Sequence, residues 1–296
     1  MSQLALYDVP APAKLNLFLH IVGRRDDGYH LLQSVFVLID WMDRLHFERR
    51  GDGRLARHDL AATLPAEDLC LRAARALQAE SGTALGADIS IDKRVPWGAG
   101  MGGGSSDAAS TLLALNRLWE LNWPRSRLAA LGLRLGADVP FFIGGQHAFV
   151  EGIGEKLTPL SVPPLSFAVL KPRASLSTRE IFEHPQLARD SDPVILEGSP
   201  EGVGGSGFPP GWLQDFGKND LQAPAEDRCP EVAQAARWLE ARYGNSRMTG
   251  SGSAVFARVG TVEPLLAAFP AEELPPGWVG RTCRSLSGHP LAGWAS

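Results

Sequence analysis

The spacing of hydrophobic and polar positions changes several times along this chain, and each change predicts an element. From Ala13 to Val22 the two kinds alternate, with Leu15, Leu17, Leu19 and Ile21 on one side and Lys14, Asn16, Phe18 and His20 on the other. A period of two is the mark of a half-buried strand, so Lys14 and Asn16 share its polar face. The strand pattern resumes from Leu31 to Asp40 after a polar turn at Asp27-Gly28. Leu45 to Glu48 and Arg54 to His58, flanking Gly51-Asp52-Gly53, predict a further hairpin. Glu67 to Ser81 then shifts to helical spacing, with Asp68 near its start and Gly82 just past its end.

Ala87 to Val95 alternates again, with Ile89 and Ile91 opposite Ser90 and Asp92. Five of the next seven-residue run, Gly98 to Gly104, are glycine, and a helix follows with Ala108, Leu112, Leu115 and Trp119 on one buried face. Ser105 or Ser106 is the expected N-cap and Asp107 suits a first turn. Strand, glycine loop and helix start together make an anion site, because bare backbone N–H groups can approach a phosphate and the helix end adds roughly half a positive charge. The P-loop of common NTPases is excluded, since no lysine lies between Lys93 and Lys156. Gly98-x-Gly100-x-x-Gly103 formally matches a dinucleotide fingerprint, so an NAD(P) enzyme of Rossmann type is an alternative. Against it, Ser126 to Leu135 reads as a second helix where that fold needs a strand.

That second helix leads to Asp138 among apolar neighbours, either a reactive carboxylate or a cap for the turn before Pro140. Strands are expected over His147 to Glu151 and Leu165 to Lys171, and a short helix capped by Ser177 or Thr178 carries Ile181 and Phe182. Asp190 to Lys218, rich in Gly, Pro and Ser, reads as a mobile loop without chemistry. Pro230 to Tyr243 is helical, Thr249 to Ser253 forms a second small-residue loop, and a helix from Glu263 to Phe269 precedes a strand from Trp278 to Cys283.

Composition narrows the class. With 44% hydrophobic and 21% charged residues over 296 positions, the chain reads as a soluble globular protein of two domains sharing a cleft or of one large domain. A net charge of -4 argues against a nucleic-acid partner. Cys70, Cys229 and Cys283 form no CxxC pair, which suits free thiols in a reducing compartment. Without a signal-like start or a long apolar run, a cytoplasmic protein with no membrane partner is expected.

Three motifs now stand in order: PAKLNLFL at 12–19, PWGAGMGGGSSDAA at 96–109 and TGSGSAVF at 249–256. Together they resemble the three signatures of the GHMP small-molecule kinases. DGYH at 27–30, LGADVP at 135–140 and the step Asn219-Asp220-Leu221 resemble the branch whose substrate is a cytidylyl methylerythritol; a homoserine or mevalonate-type alcohol is the alternative.

The resemblance implies an α+β fold with an N-terminal domain like ribosomal protein S5 domain 2, over residues 1–160. A ferredoxin-like C-terminal domain would follow over 161–296. It implies ATP as phosphoryl donor, with Mg2+, and a small-molecule acceptor bound by a monomer or homodimer. Lys14 and Asp138 would be catalytic. ATP would lie on Pro96, Trp97, Gly98, Ala99, Gly100, Met101, Gly102, Gly103, Gly104, Ser105 and Ser106, with Thr249, Gly250 and Ser251 closing over the phosphates. Asn16, Tyr29, His30 and Phe182 would hold the substrate. Asp68-Leu69 stands where the family usually has Asn-Leu, and Met101 where it usually has leucine.

Overall fold

A computed structural model describes residues 4–61, 63–194, 217–260 and 270–296. Two sheets organise them. The first is built from β1 (Ala5–Arg24), β2 (His30–Arg50), β3 (Leu55–Asp59), β4 (Gly86–Asp92), β5 (Ala148–Glu151) and β6 (Lys156–Pro159). Its order is β3-β4-β2-β5-β6, with β1 paired antiparallel to β2. The helices interspersed in this half are α1 (Leu69–Ser81), α2 (Gly103–Leu118), α3 (Arg125–Leu133) and α4 (Val139–Gly144). The second sheet, of order β10-β7-β9-β8, contains β7 (Ser166–Lys171), β8 (Arg247–Met248), β9 (Val255–Val259) and β10 (Val279–Arg284). With it go α5 (Thr178–Phe182), α6 (Gln222–Arg228) and α7 (Pro230–Tyr243). The architecture is the expected α+β class.

Three local expectations change. Leu45 to Glu48 is not a separate strand but the far end of β2, which runs unbroken for 21 residues. Nor does Arg54 to His58 fold back on it. β4 pairs antiparallel with that end of β2, from Arg44↔Asp92 to Arg50↔Gly86, so the edge a hairpin would have used is taken and β3 pairs parallel to β4 instead. The third change is in β1, where both faces are buried: Lys14, Asn16, Phe18 and His20 are as hidden as the leucines between them. A two-sided environment explains this. Leu15, Leu17 and Phe18 pack with Phe167, Val169 and Phe256 of the second sheet, while the stretch from Leu6 to Ala11 packs with α1 and α2.

The long helix α2 is the centre of the first half, and it is buried all round from Ser106 to Asn116. It is followed by α3 and not by a strand, which removes the dinucleotide-binding alternative. Asp68 caps α1 by accepting from the Leu71 N–H at 3.0 Å, and Gly82 ends that helix in the left-handed conformation, as expected. The loop expected over 190–218 lies outside the described residues from 195 to 216, as does the helix expected from Glu263 to Phe269. No helix among the described residues is long and apolar enough to cross a membrane.

Candidate active site

The glycine loop ends differently from the sequence expectation. α2 starts at Gly103, and its cap position is Gly102 at φ 69°, so Ser105 and Ser106 lie inside the first turn and cap nothing. Gly98, Gly100 and Gly102 all take positive φ, a conformation open to glycine at little cost, and these turns deliver the chain directly into the helix. With no side-chain cap, N–H groups of the first turn are left to a ligand. The loop lines a cavity of about 280 Å3 together with Leu69, of the Asp68-Leu69 step, and Lys93, which the sequence reading did not assign to the site. Trp97 projects from it half exposed.

The second loop packs backbone to backbone against the first. Ala254 N donates to Ala99 O at 3.1 Å and Ser253 N to Gly98 O at 3.3 Å. A Cβ on Gly100 would come within 2.2 Å of Thr249 O, and one on Gly250 within 2.5 Å of Gly100 O. This approach makes glycine necessary at both positions. Asn219 reinforces it by donating to Met248 O and Gly250 O, each at 2.8 Å.

Lys14 and Asp138, 124 positions apart in the chain, meet beside this pair of loops, with Nζ 3.9 Å from Oδ2. A register break between Pro12 and Lys14 re-aims β1 here, and Lys14 N donates to Met101 O at 3.0 Å, tying the strand to the glycine loop. The Lys14 ammonium also donates to Asn16 Oδ1 at 2.5 Å and lies 4.5 Å from the centre of the Phe36 ring. Burial pushes its pKa down, and the Asp138 carboxylate pulls against that shift. Asp138 occupies the position before α4, yet its side chain makes no capping hydrogen bond and is 31% exposed. The carboxylate is therefore open to a ligand.

Asn16 lies behind Lys14. Its Oδ1 accepts from Lys14, from Thr249 Oγ1 at 3.1 Å and from Gly250 N at 2.8 Å, and its Nδ2 donates to Ser34 Oγ at 2.9 Å. At 1% exposure it joins Lys14 to the second loop and presents little surface to a substrate. Ser251 reaches the other way, its hydroxyl 2.8 Å from that of Thr178 at the start of α5.

Tyr29, His30 and Phe182 meet in a separate cavity of about 800 Å3. The His30 and Phe182 rings are 5.3 Å apart at 34°, and Tyr29 is largely exposed. Arg189 Nε donates to His30 Nε2 at 3.1 Å, so this nitrogen accepts and the neutral ring carries its proton on Nδ1. Burial, Arg189 and Arg24 all lower the His30 pKa. Arg189 escaped the sequence reading because it stands 159 residues from His30 in a stretch with no periodic pattern.

A glycine anion loop, a buried ammonium against an open carboxylate, and an aromatic cavity lined from both halves of the chain are the parts of a small-molecule phosphotransferase. Two family models match the chain: GHMP kinases N terminal domain over residues 68–146 and GHMP kinases C terminal over 211–273. The 4-diphosphocytidyl-2-C-methyl-D-erythritol kinase of Methylibium petroleiphilum is 65% identical over 296 residues, covering 100% of both chains. That of Polaromonas naphthalenivorans is 55% identical over 98% of this chain and 96% of its own. A crystal structure of 4-(cytidine 5'-diphospho)-2C-methyl-D-erythritol kinase superposes with TM-score 0.69 at 35% identity, covering 85% of this chain and 88% of that one. The mevalonate kinase of Methanococcus jannaschii shares the fold, with TM-score 0.65 at 15% identity over 96% and 99% of the two chains. The chain belongs to the GHMP kinase family, and within it to the 4-diphosphocytidyl-2-C-methyl-D-erythritol kinases. ATP is accordingly its phosphoryl donor.

Proposed function

We infer that this chain transfers the γ-phosphoryl group of ATP to the 2-hydroxyl of 4-diphosphocytidyl-2-C-methyl-D-erythritol. The products are the 2-phosphate and ADP, a step of non-mevalonate isoprenoid biosynthesis. The observation that carries the mechanism is the Lys14–Asp138 pair, 3.9 Å apart at the edge of the glycine loop. The loop from Pro96 to Ser106 holds the triphosphate through backbone N–H groups, and Thr249, Gly250 and Ser251 close over it. The substrate hydroxyl lies against Asp138, which takes its proton as the oxygen bonds to the γ-phosphorus and the bond to the bridging oxygen of ADP breaks. Lys14 opposes the negative charge that gathers on the attacking oxygen and the moving phosphoryl group.

Asn16 aims Lys14 toward the hydroxyl and ties it to the second loop. The cytosine goes to the cavity of Tyr29, His30 and Phe182, where rings can stack and the His30 Nδ1–H is a donor for an acceptor on the base. Residues 1–160 supply the phosphate loop and the Lys14–Asp138 pair, and 161–296 supply the second loop and Phe182.

Among the described residues no group of three His, Cys, Asp or Glu could hold a metal ion by itself. Mg2+ brought with ATP would supply charge neutralisation at the phosphates.

ADP release coupled to a reporter enzyme tests the reading. Release is expected with the cytidylyl alcohol and not with mevalonate or homoserine. Equal turnover of mevalonate or homoserine would refute the substrate assignment.

A further inference from the structure

Beneath the glycine loop lies a buried charge cluster that phosphoryl transfer does not use directly. Lys93, just past β4, places Nζ 2.5 Å from Asp43 Oδ2 on β2 and 2.5 Å from Asp107 Oδ2 on α2. The three side chains are 6%, 0% and 4% exposed, so water does not screen them. Two carboxyl groups held by one nitrogen are within roughly 5 Å of each other, the range in which one ionised acid strongly disfavours ionisation of the other. One ammonium balances one of them.

The hydrogen bonds distinguish the two acids. Asp43 Oδ1 accepts from Arg94 N at 2.6 Å and Val95 N at 2.7 Å, and backbone donors favour a carboxylate. Asp107 has no such support: its Oδ2 meets Lys93, while its buried Oδ1 finds no donor. An ionised Asp107 would be a second carboxylate facing Asp43 across a dry interior, with one ammonium for two anions. The other titratable group facing Asp107 is Cys70 on α1. Beyond it Asp68 is already paired with Arg57 at 3.0 Å, so neither supplies a compensating cation.

We propose that Asp107 is kept as a neutral carboxylic acid, sharing its proton with Asp43, so that the cluster under the phosphate loop carries no net negative charge. Burial pushes the Asp107 carboxyl well above its ordinary range; Lys93 opposes that shift and Asp43 adds to it. The placement gives the proton a purpose. Lys93 Nζ would be 3.1 Å from a Cβ on Gly103, directly under the turn that opens α2, and it lines the loop's cavity. Two ionised acids there would set an excess negative charge below a triphosphate. Neutral Asp107 instead tethers the ammonium without opposing the ligand, which makes it a positioning residue for Lys93.

The consequence for nucleotide binding rests on the loop being the ATP site, but the protonation itself does not. Infrared spectra of the full chain at mildly alkaline pH separate the two. The wild-type protein is expected to show the carbonyl-stretch band of a neutral carboxylic acid, and D107N is expected to lose it. D43N should lose it as well, because one remaining acid beside Lys93 needs no proton. No band in the wild type, or a band persisting in both variants, overturns the proposal. If D107N fails to fold, the wild-type and D43N spectra still decide. In D107N, whose amide has the shape of the neutral acid, ATP binding followed by Trp97 fluorescence should not tighten. Tightening of about tenfold or more would mean that a charge had been removed, and would also overturn it. Failure of the wild type to bind ATP would refute the loop assignment and leave the infrared result standing.

Discussion

Replacing Lys14 by methionine removes the ammonium while keeping an unbranched chain of similar length in the same slot. At 3.9 Å, two unit charges at an effective dielectric of about 20 interact by about 4 kcal/mol. Asp138 is 31% exposed, so solvent weakens this, and about 2–4 kcal/mol is a fair range for the charge that Lys14 stabilises during transfer. Turnover of Lys14→Met should therefore fall roughly thirtyfold to a thousandfold.

Stability should move the other way. Burial lowers the Lys14 pKa from 10.5 in the folded chain. Between the lowered value and 10.5 the unfolded state holds the extra proton, so folding gains stability as pH rises through that window. Below the lowered value both states are protonated and the full cost of burying the ammonium is present. Turnover of the wild type should decline on the alkaline side over the window in which stability improves, because the neutral amine no longer opposes the phosphoryl charge. At neutral pH, Lys14→Met should melt no lower than the wild type while being nearly inactive. Steady-state kinetics against pH and thermal denaturation of both proteins check the two halves together. A variant that keeps a third of wild-type turnover would refute the role given to Lys14.

Three further outcomes follow from the same geometry. Asp138→Asn should lose at least about a hundredfold in turnover while binding ATP as the wild type does, measured by titration and single-turnover kinetics; near-normal turnover would return Asp138 to a structural role. Phe182→Ala should raise KM for the cytidylyl substrate and leave KM for ATP in place, since its ring packs on His30 at 5.3 Å, away from the glycine loop. An equal rise in both constants would count against the cytosine assignment. Gly100→Ala combines positive φ with a Cβ 2.2 Å from Thr249 O, so thermal denaturation should show a loss of at least roughly 1–3 kcal/mol, and an unchanged midpoint would mean that the two loops do not pack as described.

Much of the site was legible locally. The alternation around Lys14, the capped helix after Asp68 and the glycine run before α2 depend on neighbours in the chain, and short-range spacing reports them directly. The order of three separate motifs added the family, which no single stretch carried. What spacing misreported were the contacts decided by competition. Ser105 and Ser106 are good caps in isolation, but three glycines with positive φ start the helix before them. Arg54 to His58 suited a hairpin until β4 occupied the partner edge of β2.

Sequence alone thus determined which groups this protein has for its chemistry: an ammonium, a carboxylate, a run of unobstructed N–H groups and a set of aromatic rings. Only the tertiary structure decided what those groups can do. It brought Lys14 to Asp138, joined Asn16 to Gly250 more than 230 residues away, and placed Asp43 and Asp107 on one buried lysine. The physical reason is that charge, exposure and hydrogen-bond partners are properties of a residue's surroundings. For these side chains the surroundings come from distant parts of the chain.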